Sequence, residues 1–201
     1  MIAIIDYDAG NIKSVEKALE YLGAQYVLTN DADVLLKADK VLLPGVGAFG
    51  DAMNKLNKFG LVPIIRQIVD NGTPFLGICL GMQVLFDSSE EAPGVEGLGL
   101  IPGKIVRFSS DNNLKIPQIG WNQLTLQNNG KLFKNVNEGD FVYFVHSYYL
   151  KAENECDVVA TTEYGDHVHA AVEHGNVYGC QFHPEKSSSV GLTILKNFVE
   201  M

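Results

Sequence analysis

The chain is poor in cysteine, short of basic residues and free of any long apolar run. Its three cysteines, Cys79, Cys156 and Cys180, are too few and too scattered for a disulfide scaffold, and none forms a C-x-x-C pair. A reducing, cytoplasmic setting is the expectation. Lys and Arg number 15 against 24 Asp and Glu, for a net charge of −9, which argues against a general nucleic-acid binder. No apolar stretch approaches the roughly 20 residues that cross a bilayer, so no membrane partner is expected. The opening Ile2-Ala3-Ile4-Ile5 reads as a strand rather than a signal peptide. Repeats, low-complexity tracts and linkers are lacking too. These absences leave 201 residues at 46% hydrophobic and 19% charged, enough for one domain, 1–201, with a substantial core.

The first half alternates strand and helix. Strands are expected at Met1–Asp6, Gln25–Thr29, Lys40–Leu43 and Pro74–Ile78, and helices at Asn11–Leu22 and Phe49–Asp70, the latter interrupted near Gly60 and Pro63. Such βα units with apolar strands imply a parallel sheet covered on both faces, with ligands beyond the carboxyl ends of the strands. The second half reads as strands at Ile105–Phe108, Leu124–Leu126, Phe141–Leu150 and Asp157–Glu163, a hairpin of His167–Glu173 and Val177–Phe182, and a last helix from Val190 to Met201. The expected fold is α/β: a mostly parallel, flavodoxin-like sheet flanked by helices, with an antiparallel extension.

The richest segment is Phe75-Leu76-Gly77-Ile78-Cys79-Leu80-Gly81-Met82-Gln83. A buried strand ends at Cys79, glycines stand two residues to either side, and a helical pattern follows from Gly81 through Phe86. That is the layout of a nucleophile elbow with Cys in the usual place of Ser. The helix N-terminus favours the thiolate through its dipole and free N–H groups. A free cysteine is also among the most buried residue types, so the elbow alone leaves a core thiol open.

A downstream segment weighs against the core thiol. In Gly179-Cys180-Gln181-Phe182-His183-Pro184-Glu185-Lys186-Ser187 a strand delivers His183 to its end, and Pro184 turns Glu185 back toward the imidazole. A cysteine nucleophile needs a base to carry a proton to the leaving amine, and the base needs a carboxylate to fix its tautomer. Cys79, His183 and Glu185 supply those three roles.

Leu43-Pro44-Gly45-Val46-Gly47-Ala48-Phe49-Gly50 satisfies G-x-G-x-x-G, with Asp70 twenty residues further on. A dinucleotide site is rejected: the motif follows the third strand, Pro44 makes a different turn, and Asp70 sits in a helical pattern. Backbone N–H groups of this loop, at Val46 and Gly47, together with that of Leu80, suit the oxyanion formed when Cys79 attacks an amide.

These stretches, with Ile4-Ile5-Asp6-Tyr7, Gly10-Asn11, Ile119-Gly120-Trp121-Asn122 and Tyr143-Phe144-Val145-His146-Ser147-Tyr148, make the chain similar to class I (triad) glutamine amidotransferases over nearly its whole length. Within the family it most resembles the glutaminases that feed a (β/α)8-barrel cyclase in histidine biosynthesis. The resemblance implies hydrolysis of glutamine to glutamate and ammonia through a cysteine thioester, with Cys79 as nucleophile, His183 as base and acid, and Glu185 as its orienter. It implies that Gln83 holds the amino-acid end of the substrate, that Ser147 and Tyr148 line the same pocket, and that Trp121, Tyr143 and Lys186 face the partner. The cyclase of such a heterodimer turns the ammonia and a phosphoribulosyl formimino ribonucleotide into imidazole glycerol phosphate and an aminoimidazole carboxamide ribonucleotide. No metal or organic cofactor is implied.

Other readings stay open at this level. A glutaminase of the pyridoxal phosphate synthase, GMP synthetase or anthranilate synthase type shares the triad, though Pro44-Gly45-Val46-Gly47 and Gly120-Trp121-Asn122 disfavour it. A non-catalytic module on the same fold and a cysteine peptidase relative are the others. His167-x-His169 on one strand face lacks a Cys or carboxylate in a recognisable zinc pattern. His146 reads as a packed, hydrogen-bonded histidine, and Cys156 and Cys180 as inert.

Overall fold

The computed structural model describes residues 1–8, 10, 12–109, 114–128 and 130–201. Strands β1 (Ile2–Ile5), β2 (Tyr26–Thr29), β3 (Lys40–Gly45) and β4 (Phe75–Cys79) alternate with helices α1 (Ile12–Tyr21), α2 (Ala32–Leu36), α3 (Phe49–Lys58) and α4 (Leu61–Asp70). A short α5 (Leu80–Gln83) follows β4 directly. The second half carries β5 (Ser88–Ser89), β6 (Gly103–Arg107), β7 (Gln118–Gln123), β8 (Thr125–Leu126), β9 (Phe141–His146), β10 (Tyr148–Ala152), β11 (Val158–Tyr164), β12 (Asp166–His174), β13 (Val177–Cys180) and α6 (Ser188–Glu200).

The main sheet runs β2-β1-β3-β4-β13-β12-β10-β6-β5, with β11 and β8 branching from β12. The pairings β1–β2, β1–β3, β3–β4 and β4–β13 are parallel, and those of β12 with β13, β10 and β11 are antiparallel. This is the α/β fold with the antiparallel extension that the sequence leads one to expect. Every residue of β1 and β4 is buried, as strands covered on both faces must be. One apolar layer gathers α2, α3, α4 and the 84–101 segment; the other gathers α1, α6 and the inner side of β9.

Several boundaries differ from the sequence expectation. The 49–70 helix is two helices, because Gly60 adopts φ +67° ahead of Leu61; Pro63 sits in the first turn of α4, where its missing N–H is not needed. The expected helix through Phe86 is one turn, α5, because the carbonyls of Val84, Leu85 and Phe86 accept the amides of Leu98, Leu100 and Gly99. The expected Phe141–Leu150 strand is two, broken at Ser147: β9 pairs with β7 in a separate sheet, and β10 joins the main sheet. Helix α2, capped by the Asp31 carboxylate on the amides of Asp33 and Val34, carries too short a pattern to read from sequence. Of the expected α1, Asn11 lies outside the described residues.

Candidate active site

Strand β4 drives the chain into Cys79, which takes φ 55° and ψ −111° before the helical turn of α5. A non-glycine residue held there is strained, and the surroundings enforce it. A Cβ at Gly81 would stand 1.7 Å from the Leu43 carbonyl oxygen, and one at Gly77 would stand 2.5 Å from that of Gly81. Both glycines are therefore required by close backbone approach, and the elbow is a packed feature of the sheet edge.

His183 lies beyond β13, where its amide donates to the Tyr143 carbonyl at 3.0 Å. Its Nδ1 lies 2.8 Å from Glu185 Oε1, and the two side chains are only 2% and 1% exposed. The carboxylate accepts, so Nδ1 carries a proton and Nε2 is the atom left for chemistry. Among the described residues Nε2 and Glu185 Oε2 have no hydrogen-bond partner. Burial is the largest single influence on this imidazole and opposes its charge; interactions with Cys79 and Glu185 together outweigh burial and lift its pKa to about 9.

His146 is titrated the other way. Burial first, and the charge of His183 after it, push its pKa down to about 4, against a smaller opposing effect of its hydrogen bond to the Tyr148 carbonyl. Its Nδ1 lies 2.8 Å from that carbonyl oxygen and its Nε2 3.0 Å from Gln118 Oε1. The two imidazoles thus separate into a proton carrier, His183, and a neutral scaffold, His146.

A cavity of about 300 Å³ is lined by Cys79, Val46, Gly47, Leu80, Gln83, Ser147, Tyr148, His146 and His183, with Glu91, Pro117 and Val145 completing it. The proposed nucleophile, oxyanion and substrate positions therefore meet at one place, with Glu185 behind His183. A larger cavity of about 700 Å³, between residues 126–136 and the end of α6, includes none of them. Gln83 is buried, and its amide nitrogen donates to the Tyr148 carbonyl and to Gln181 Oε1, both at 3.0 Å. Gln181 in turn directs its amide nitrogen at Cys79 Sγ, 3.8 Å away.

Val46 and Gly47 form an exposed loop after β3, with Gly47 at φ +107°. The last β3–β4 rung pairs Gly45 with Cys79. In the alternation set by the Val41 amide donating to the Pro74 carbonyl at 2.9 Å, that rung turns the Gly45 carbonyl to the Leu80 amide. Of the three expected oxyanion donors, the Leu80 amide is thus turned by the register toward the protein's own backbone.

Trp121, Tyr143 and Lys186 do not line the cavity. Trp121 and Tyr143 are cross-strand partners on β7 and β9, their rings edge to face at 6.1 Å. Lys186 is exposed one residue past Glu185. Ile119 and Phe141 join Trp121 on the outward face of this small sheet, and all three are more than half exposed. Elsewhere, His167 pairs with Glu163 and His169 accepts the Ala152 amide.

Three residues escaped the sequence reading. Gln181 sits two positions before His183, just past the end of β13. Glu91, whose Oε2 accepts the Phe49 amide at the start of α3 at 2.7 Å, lies in a glycine-rich stretch without periodic signal. Ser187, fully buried, accepts the Tyr143 amide at 2.9 Å and donates to the His183 carbonyl at 2.7 Å.

A model of the glutamine amidotransferase class-I family matches residues 3–201. Among curated proteins, the chain is 52% identical to the imidazole glycerol phosphate synthase subunit HisH of Geobacillus kaustophilus, over 99% of this chain and 96% of that one. It is 51% identical to the protein of the same name from Thermosynechococcus vestitus, over 100% and 96%. Among solved structures, a glutamine amidotransferase superposes with TM-score 0.78 at 18% identity, covering 100% of this chain and 98% of that one. PurLQS from Thermotoga maritima superposes with TM-score 0.74 at 22% identity, covering 99% and 97%.

Proposed function

Because the chain belongs to the class-I glutamine amidotransferase family, we propose that the Cys79 cavity is its glutaminase site and that the chain is the glutaminase subunit of an imidazole glycerol phosphate synthase. The observation that carries the site assignment is the strained Cys79 elbow facing a buried His183–Glu185 pair across one cavity.

The cavity suits one amino acid. The free Oε1 of Gln83 and the second oxygen of Glu91 accept from the α-ammonium group of glutamine, and the Ser147–Tyr148 turn between β9 and β10 closes the pocket around its carboxylate. Cys79 Sγ attacks the carboxamide carbon, and His183 holds the thiol proton at Nε2. Collapse of the tetrahedral adduct breaks the C–N bond as that proton passes to the nitrogen, releasing ammonia and leaving a thioester. Water then attacks the thioester with His183 as base, glutamate departs, and the thiol regains its proton. Glu185 fixes the imidazole throughout.

The oxyanion needs the Leu80 amide, toward which the Gly45 carbonyl is turned, and the Val46 amide, which belongs to the same peptide plane as that carbonyl. Turning the Gly45–Val46 peptide over frees the first and aims the second. The isolated chain is therefore close to inactive, and a partner bound near this loop switches it on. The partner is a (β/α)8-barrel cyclase seated on the β7–β9 face, where it receives the ammonia in the cytoplasm. Glutamate release by the chain with and without this cyclase tests the reading. Stimulation by the cyclase, abolished by Cys79→Ala, is expected; unchanged turnover by Cys79→Ala sinks it.

A further inference from the structure

Tyr7 lies just past the end of β1, and its ring is 1% exposed. Its hydroxyl is buried without a hydrogen-bond partner among the described residues. Buried hydroxyls are almost always paired, so an orphan beside a reactive site calls for a reason. Burial, and secondarily the charge of Cys79, raise its pKa well above the ordinary phenol value, so the group is a hydrogen donor at any working pH.

What the hydroxyl touches is specific. A Cβ built on Gly45 would fall 2.3 Å from Tyr7 Oη: the phenol oxygen occupies the place a side chain at Gly45 would take. The β1–β3 register pairs Ile2 with Lys40, Ala3 with Val41 and Ile4 with Leu42, and its continuation sets Tyr7 beside Gly45. At this level β3 has the Tyr7 backbone on its β1 side and Leu80 on its β4 side, while the Tyr7 hydroxyl reaches over the face of Gly45, into the place of a Gly45 Cβ, which lies 3.1 Å from the Gly81 amide nitrogen and 3.2 Å from Leu80 Cβ. By the β3–β4 register the Gly45 carbonyl is turned to the β4 side, toward Leu80. Turning the Gly45–Val46 peptide over carries the carbonyl off the β4 side and across the sheet face at Gly45, where the Tyr7 hydroxyl stands as a donor without an acceptor.

We propose that Tyr7 is a positioning residue for the oxyanion loop: its hydroxyl donates to the Gly45 carbonyl in the turned state and so holds the Val46 and Leu80 amides toward the substrate. The inference rests on the glutaminase reading of the Cys79 site. It assigns Tyr7 no contact with glutamine. In the occluded state the hydroxyl contributes no hydrogen bond to lose; in the active state it contributes one.

The test is Tyr7→Phe in the complex with the cyclase. Loss of one hydrogen bond specific to the active state lowers kcat for glutamine roughly tenfold. The KM for glutamine stays within about twofold, as expected when ground-state binding is untouched. The thermal midpoint of the isolated chain is unchanged or raised, since no partner is lost there, and alkylation of Cys79 by iodoacetamide proceeds at the wild-type rate. A 3-fluorotyrosine at position 7 keeps the shape and strengthens the donor, so it restores kcat to the wild-type level or above; it also carries the test if the Phe variant does not fold. Wild-type kcat in Tyr7→Phe, or a kcat for the fluorinated chain below wild type, overturns the assignment. Absence of cyclase-stimulated glutaminase activity in the wild-type complex instead overturns the function on which it rests.

Discussion

At the scale of single residues the site is organised by two histidines pushed in opposite directions. His183 has its folded pKa raised from 6.5 to about 9, so its contribution to stability is complete below pH 6.5 and is lost as pH rises through about 9. On the proposed mechanism the protonated imidazole paired with Cys79 in the free chain is lost over the same interval, so kcat/KM is expected to fall along an alkaline limb near pH 9. Glu185→Gln removes one cause of the raised pKa; its limb moves to lower pH and kcat drops roughly 10²–10⁴-fold, measurable by pH–rate profiles of the complex. His146, at about 4, works with the reverse sign: acidification from 6.5 toward 4 costs stability on the order of 3 kcal/mol, because the unfolded chain takes up a proton that the folded ring refuses. Tyr7 belongs at this scale too. Val46 is not among the residues with positive φ, and turning its peptide carries a β-branched residue into that region at a cost of about 1–3 kcal/mol. Pairing an orphaned buried hydroxyl recovers a similar ~1–3 kcal/mol. The two states of the loop are thus near balance, which is what a partner-controlled switch requires.

At the scale of elements, β9 is tied to both halves of the reacting pair. The Val145 carbonyl lies 4.0 Å from Cys79 Sγ, and the Tyr143 backbone holds His183 through its carbonyl and Ser187 through its amide. The strand whose outer face carries exposed Phe141 is the strand that sets the distance between thiol and imidazole. Ser187 is the clasp. Replacing it by Ala leaves the part-buried Tyr143 amide without that acceptor and loosens His183, so a stability loss of about 1–3 kcal/mol in denaturant unfolding should accompany a lower kcat. A loss of kcat at full stability would show that the clasp serves only His183.

At the scale of the whole molecule, the parallel strands end at the cavity and the β7–β9 sheet stands beside it as an exposed apolar surface. Trp121 with Tyr143 at its centre is the aromatic pairing that interface energetics concentrate on. Trp121→Ala is expected to weaken binding of the cyclase by about 2 kcal/mol or more, a ~30-fold rise in Kd by calorimetry, while the isolated chain unfolds as before. Much of this arrangement was legible beforehand, for physical reasons. Cys79 between Gly77 and Gly81, and Pro184 between His183 and Glu185, are local devices: a strand-to-helix turn and a fixed φ act on neighbours in the chain, so short sequence reports them. The alternation of apolar runs with helical stripes reports the parallel sheet in the same way. Glu91, Ser187 and Tyr7 matter through partners 42, 44 and 38 residues away (Phe49, Tyr143 and Gly45), and nothing in their own neighbourhoods encodes that. The break at Ser147 and the early end of α5 are likewise imposed by distant strands and carbonyl partners. The sequence by itself pointed to Cys79, His183 and Glu185 as the proposed nucleophile, base and orienter, because that proposal follows from side-chain chemistry and turn geometry. Only the tertiary structure decided whether the site is open, because a peptide plane shared between β1, β3 and β4 takes its orientation from the strands on either side of it.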